Sequence, residues 1–363
     1  MKHFIAFFLF LSGTYSYAQS DSLVSYKDMI VDSQNIYALS NTGKLTVWNL
    51  STLNKQLIDN DTITYTAIAM DRNGIIHLGS KTGYHATFDS ESAKVHIESK
   101  LKYNNEVHFM FFNSQNKMFL IYAGGIYDPE IDKYWNKFKN RPNGLIVKRK
   151  ISFLLFSVYK TTNVYFITPQ YAFMDSNGVI WMGKMCGEFG SMFYAFDCEK
   201  SEIIDVSNFV FADGLSFQSI FEDDNHNIYI TSGLQHIGNS GEIYKIDNKN
   251  AVTLFDFIKV DDKLSDKRDL FIGPGAYSNT EQKLYFATQA GIYCTTVPNE
   301  GSINENELEL LFSPQLGAVR ENHAMGMKMA VKKMLFTRDN KLVFLTAVNG
   351  IGLYNGDDYI MLK

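Results

Sequence analysis

One short pattern recurs along this chain and restricts the fold more than composition does. A clear copy is "FEDDNHNIYITSGLQHIGNSGEIYKID", residues 221–247, and six others begin at Val31, Met70, Phe112, Met174, Ser278 and Thr337. Each copy opens on a polar turn such as Asp71-Arg72-Asn73-Gly74 or Asp175-Ser176-Asn177-Gly178, whose residues tolerate positive φ and reverse the chain tightly. A β-branched and aromatic run follows, as in Val179-Ile180-Trp181-Met182 or Ile228-Tyr229-Ile230-Thr231. A second, Gly-based turn comes next, then another strand. A further apolar stretch precedes each polar turn, for example 107–112 and 217–221, so each repeat reads as an antiparallel meander of three or four strands.

The glycines of the second turn, Gly43, Gly83, Gly125, Gly190, Gly241, Gly291 and Gly350, stand 40, 42, 65, 51, 50 and 59 residues apart. A period of roughly forty to fifty residues with four strands per repeat is the spacing of β-propeller blades. The chain is therefore expected to be all-β, a single β-propeller of seven blades, each a four-stranded antiparallel sheet. Six or eight blades stay open because of the long third interval, and two stacked sandwiches are the other all-β arrangement. A helical solenoid is disfavoured, since no segment keeps a 3.6-residue period for long.

Residues 1–18 read as a secretory signal peptide: a basic start at Lys2, the apolar run "FIAFFLFL" and the small-x-small site Ser16-Tyr17-Ala18. Residues 19–363 form the propeller domain, with an insertion at about 128–150. A run of eight apolar residues falls short of the roughly twenty that a spanning helix requires. The expectation is an exported protein, periplasmic or extracellular, with no integral membrane segment once the signal is cleaved. The net charge of −5 argues against general affinity for nucleic acid. Three cysteines are too few for a disulfide framework in a chain this long. Cys186 and Cys198 flank one hairpin at unequal distances from its tip, so free, packed thiols are expected.

The D-x-x-G-x-I/L-W/Y-I-G…GI/L-Y pattern, clearest in "ADGLSFQSIFEDDNHNIYITSG" from Ala212, resembles the two-component regulator propeller repeats found in periplasmic sensor domains of Bacteroidetes hybrid kinases. The resemblance spans all seven copies and is closest in the fourth and fifth, while the third, sixth and seventh lack the Gly of the polar turn. It implies a propeller that recognises an extracytoplasmic ligand, commonly a glycan fragment, or a partner protein. Unlike those sensors, the sequence carries no kinase after the propeller, which leaves a stand-alone binding or scaffolding role.

No motif for a P-loop, a nucleophile elbow, a dinucleotide fold or a zinc peptidase is present, and neither a cofactor nor a metal site is expected. The acidic run Glu222-Asp223-Asp224 lacks the spacing of a calcium loop and reads as a solvated turn. His77 alternates with apolar neighbours, which suits a buried blade-face role. The weak ligand-binding candidates are His108, at the start of an innermost strand; Arg320 and His323, upstream of another; Tyr277, in "GPGAYSN"; and Trp135. The insertion "DPEIDKYWNKFKNRPNGLIVKRK" carries a net charge of +4, leaving −9 elsewhere, and its aromatics suit a sugar or acidic ligand as well as a loop pinned to the rim. The expected function is a binding or scaffold protein that takes a glycan or a protein partner at the propeller mouth. The alternative is a carbohydrate-active enzyme, a polysaccharide lyase or hydrolase, in which a His, a Tyr and an Arg at the mouth abstract a proton and neutralise a uronate.

Overall fold

The computed structural model describes residues 24–58, 63–138, 148–153, 156–161, 164–185, 191–206, 209, 211, 216–235, 239–247, 250–256, 271–317, 319–320 and 328–363. Within them are seven four-stranded antiparallel sheets, each with its strands in sequence order, the blades of a seven-bladed propeller. Blade 1 runs from Tyr26–Val31 to Lys55–Ile58, blade 2 from Tyr65–Met70 to Lys94–Lys100, and blade 3 from Val107–Phe112 to Lys133–Trp135. Blades 4, 5, 6 and 7 open on Tyr171–Met174, Phe217–Glu222, Gly275–Ser278 and Val331–Phe336. First strands adjoin at six of the seven blade junctions, that between blades 7 and 1 included, so these strands form the inner ring.

The core is divided by the geometry of the ring. Seven hydrophobic clusters fill the seven gaps between blades, for instance Trp181, Phe193, Phe217 and Tyr244 between blades 4 and 5, and Tyr26, Trp48, Val343 and Leu353 between blades 1 and 7. A sheet buried on both faces needs apolar side chains at both strand phases, which explains the near-continuous apolar runs of the second strands. In Met118–Tyr122 and Leu342–Thr346 almost every residue is buried.

The polar turn between first and second strands works the same way in blades 2 to 5, while in blade 1 Asp32 accepts from Gln34 and Asn35 and in blade 6 Ser278 accepts from Glu281. One side-chain oxygen accepts backbone N–H groups two and four residues on: Asp71 from Asn73 and Ile75, Asn113 from Gln115 and Lys117, Asp175 from Asn177 and Val179, Asp223 from Asn225 and Asn227. Thr337 uses its hydroxyl in the same role, accepting from Lys341. Gly74 and Gly178 take the positive φ this turn demands, and Asn116, His226 and Asn340 take it where Gly is missing. That is how the copies without Gly keep the turn.

At the second turn Gly43, Gly83, Gly291 and Gly350 all have positive φ. Gly125 and Gly241 differ from the sequence reading: both lie inside strands, and Gly124 carries the positive φ in blade 3. Gly190 and Cys186 lie outside the described residues. Cys198 and Cys294 are free and buried, and burial pushes both thiols above their ordinary pKa, Cys294 to about 11.

Ring closure uses both chain ends. Tyr359–Leu362 completes blade 7 as its outer strand, and Val24 bridges in parallel to Asn349, donating to the Val348 carbonyl at 3.1 Å and accepting from Gly350 N–H at 2.9 Å. Lys333 reaches Asp28 of blade 1 at 2.6 Å across the same seam.

Candidate functional site

In a four-stranded meander the first and third turns fall on one face of the disc, and the second turn and the connection to the next blade fall on the other. The two faces of this propeller are built differently. The first face carries tight turns on Asp and Asn side chains, including Asn49, Asp89, Asp128, Asp197 and Asn355 at the third turn. The blade-to-blade connections longest in sequence (136–170, 205–216, 257–274 and 313–330) leave and re-enter their blades at the second face. The segment after blade 3 forms hairpins there: Lys137–Phe138 pairs with Val164–Tyr165, and Lys148–Phe153 with Phe156–Thr161.

Charge follows the same division. Asx turns require carboxylates or amides, so the turn face gathers Asp32, Asp71, Asp175, Asp223, Glu199 and Glu222. The described part of the loop face carries Lys27, Lys44, Lys81, Lys100, Lys332 and Lys333 against Asp28, Glu106, Asp205 and Asp256. An asymmetry of this kind raises the local concentration of anions on the loop face alone.

Around the inner ring the loop face has a repeated device. In five blades the second residue of the first strand is a β-bulge: Lys27, Thr66, His108, Gln218 and Lys332 are each skipped by the pairing register. In blade 6 Gly273 and Pro274 both bond to Ala287, two residues against one. The bulged side chains stitch the ring. Thr66 donates to the Val107 carbonyl of blade 3 at 2.8 Å, and Lys332 to the Tyr26 carbonyl of blade 1 at 3.2 Å. Gln218 donates to Gly233 O at 2.9 Å, while its own Oε1 is buried without a partner. The sequence carried this signal as a polar residue at the second place of "YKDMI", "YTAIA", "VHFMF", "FQSIF" and "VKKML", which sequence reasoning picked out only at His108.

His108 is half-buried at the mouth, its Nδ1 3.9 Å from Glu106 Oε1, and Glu106 pairs with Lys27 at 2.9 Å. Burial holds the imidazole below its ordinary pKa; Glu106 acts in the opposite direction and Lys27 in the same. Neutral at pH 7, His108 can accept a proton or donate a hydrogen bond from a position open to the loop face. Tyr277 is set differently. It stacks on Tyr229 with centroids 6.0 Å apart, and its hydroxyl donates to Gln282 in the turn face, away from His108. Trp135 ends the outer strand of blade 3, packs edge-on against Phe196 of blade 4 at 4.9 Å, and lies under Lys133 at 4.7 Å. Arg320 belongs to a small hairpin with Lys328 in the connection between blades 6 and 7, and His323 lies outside the described residues. Among the described residues no cluster of three or more His, Cys, Asp or Glu has metal-binding geometry, and no helix is long and apolar enough to cross a membrane.

No family model and no curated protein sequence matches the chain. Solved structures share its fold, among them the two that follow. Hydrazine synthase of Kuenenia stuttgartiensis aligns with a TM-score of 0.56 at 10% identity, over 96% of this chain and 98% of that one. Virginiamycin B lyase from Staphylococcus aureus aligns with a TM-score of 0.50 at 12% identity, over 84% and 85%. At such identities the likeness establishes the β-propeller and leaves activity open.

Proposed function

We propose that this chain is an exported propeller that binds an anionic partner, a uronate-bearing glycan or an acidic protein segment, on its loop face. The observation that carries the reading is that the longest connections leave their blades at the face where, among the described residues, lysines outnumber carboxylates. Binding residues are disproportionately placed on loops held by a rigid scaffold. The repeat pattern it shares with the sensor propellers of Bacteroidetes hybrid kinases supports a ligand-recognition role, and the signal-like N-terminus supports export. The bulged Lys27 and His108 would meet the ligand at the mouth, with Arg320, Lys137 and Lys148 contributing from the connections. The Lys27–Glu106 pair is exposed, and such pairs stabilise a fold by about 0–1 kcal/mol, so Lys27 can be removed without unfolding the ring.

The test is titration calorimetry of the purified protein against uronate and neutral oligosaccharides and an acidic peptide. Lys27→Ala and His108→Ala should each weaken binding of the anionic probe several-fold, and Asp224→Ala and Arg338→Ala, on the turn face, should not. Loss of binding in the turn-face variants alone would place the site on the opposite side of the disc. Release of unsaturated product from a uronate polymer would replace the binding role with lyase chemistry.

A further inference from the structure

The turn carboxylates perform a second task in several blades. While one oxygen holds the turn amides, the other accepts a bond from an aromatic side chain in the second strand: Tyr37 donates to Asp32 at 2.7 Å, Trp181 to Asp175 at 2.8 Å, and Tyr229 to Asp223 at 2.8 Å. Blade 2 departs from this rule. At the place of Trp181 and Tyr229 it has His77, buried at 9% exposure, with Nε2 3.5 Å from Asp71 Oδ2. His77 Nδ1 in turn lies 2.8 Å from Nε2 of the half-buried His85, on the neighbouring strand. The two rings are nearly parallel, at 8°, with centroids 5.1 Å apart, so they meet edge to edge through these nitrogens rather than face to face.

The junction with blade 3 closes over this relay. Phe112 packs on the His77 ring at 4.5 Å, and Asn116 donates to the same Asp71 Oδ2 at 2.8 Å while accepting from the Arg72 N–H at 2.9 Å. The titratable groups that face the pair are Asp71 and Glu98 of blade 2, Glu98 being held by Thr87 at 2.6 Å. Against His77, blade 3 sets the apolar Phe112, and beside Asp71 the neutral Asn116.

The protons can be placed from the partners. The Asp71 carboxylate, 3.5 Å from His77 Nε2 and too far for a full hydrogen bond, favours the His77 proton on Nε2 by its charge, and the bare Nδ1 then accepts from His85 Nε2–H. One added proton, on either ring, still leaves a single N–H···N bond between His77 Nδ1 and His85 Nε2. A second leaves both of these nitrogens protonated, two donors facing each other on two cations. We propose that this pair is a proton-operated latch on the blade 2–blade 3 junction, closed at neutral pH and released when both imidazoles are charged. Burial holds both groups below the ordinary imidazole value, His85 at about 4 with His77 adding to the depression, while Glu98 opposes it at both and Asp71 at His77. The sign follows: a depressed folded-state pKa contributes stability above the unfolded value of ~6.5, and that contribution is lost as pH falls toward 4.

Two variants test it. His77→Tyr installs the residue that blades 1 and 5 use, and His85→Gln keeps a donor that does not titrate. Between pH 7 and 4 the Tm of the parent should fall about 2–4 °C further than that of either variant. Over the same range, hydrogen exchange corrected for intrinsic rate should accelerate in Ile76–Ser80 and Val107–Phe112 of the parent only. Ile228–Gln235, behind the tyrosine lock of blade 5, should not change. Parallel Tm profiles in the parent and whichever variant folds, or equal acceleration in blade 5, would overturn the latch.

Discussion

At the scale of single residues, the turn carboxylates are the most heavily used groups in the molecule. Asp175 accepts from Asn177 and Val179 N–H through one oxygen and from the Trp181 indole through the other, at 4% exposure. Burial raises its pKa, those three bonds act in the opposite direction, and Glu222 nearby adds to the rise. Removing the carboxylate strands a buried indole N–H as well as two amides, and an unsatisfied buried donor costs about 1–3 kcal/mol. Asp175→Ala should therefore lower chemical-denaturation stability by about that amount or more, measured as a shift in midpoint at constant m-value. A change within about 0.5 kcal/mol would show that solvent replaces the carboxylate.

Among elements, the blades are more regular than their sequences. The turn at Asn113 has neither the Asp nor the Gly of the consensus, yet its geometry matches that at Asp175, because Asn accepts as Asp does and Asn116 tolerates the left-handed region. Closure is the exception to regularity, since it depends on a two-bond parallel bridge at Val24 rather than on a shared sheet. Val24→Pro removes the donor to Val348 O and should lower the Tm by a few degrees, with protection lost first in Ile351–Tyr354. Uniform protection loss across all blades would mean that the seam is held by the Tyr26, Trp48 and Val343 cluster instead.

For the whole molecule, the division of charge between the two faces governs what can approach. The net charge of −5 would repel an anion from a uniform surface, but carboxylates concentrated in the turns of one face leave the other free to attract it. Exposed contacts are screened over ~8 Å at physiological ionic strength, so affinity for an anionic probe should fall steadily as salt rises from low to physiological levels. Arg320→Ala should weaken binding more than Lys148→Ala, because a guanidinium can hold a carboxylate through two bonds. Affinity indifferent to salt, with both variants binding like the parent, would point to a neutral glycan.

What the sequence determined by itself was the local chemistry and its count. Turn residues at a fixed spacing and β-branched runs act within a few residues of one another, so seven meanders and their closing into a ring of blades were legible. The bulge residues were written in the sequence too, as a polar second residue in five of the seven first strands, but the register shift that gives them meaning exists only once the strand has paired. Tertiary structure alone decided which side chains share a face. The Tyr277 hydroxyl turns to the opposite side from His108, and Trp135 becomes packing between blades, because strand direction and blade rotation set these positions rather than residue type. His77 and His85 lie eight residues apart on different strands, and the relay between them depends on a diagonal pairing that no local pattern encodes.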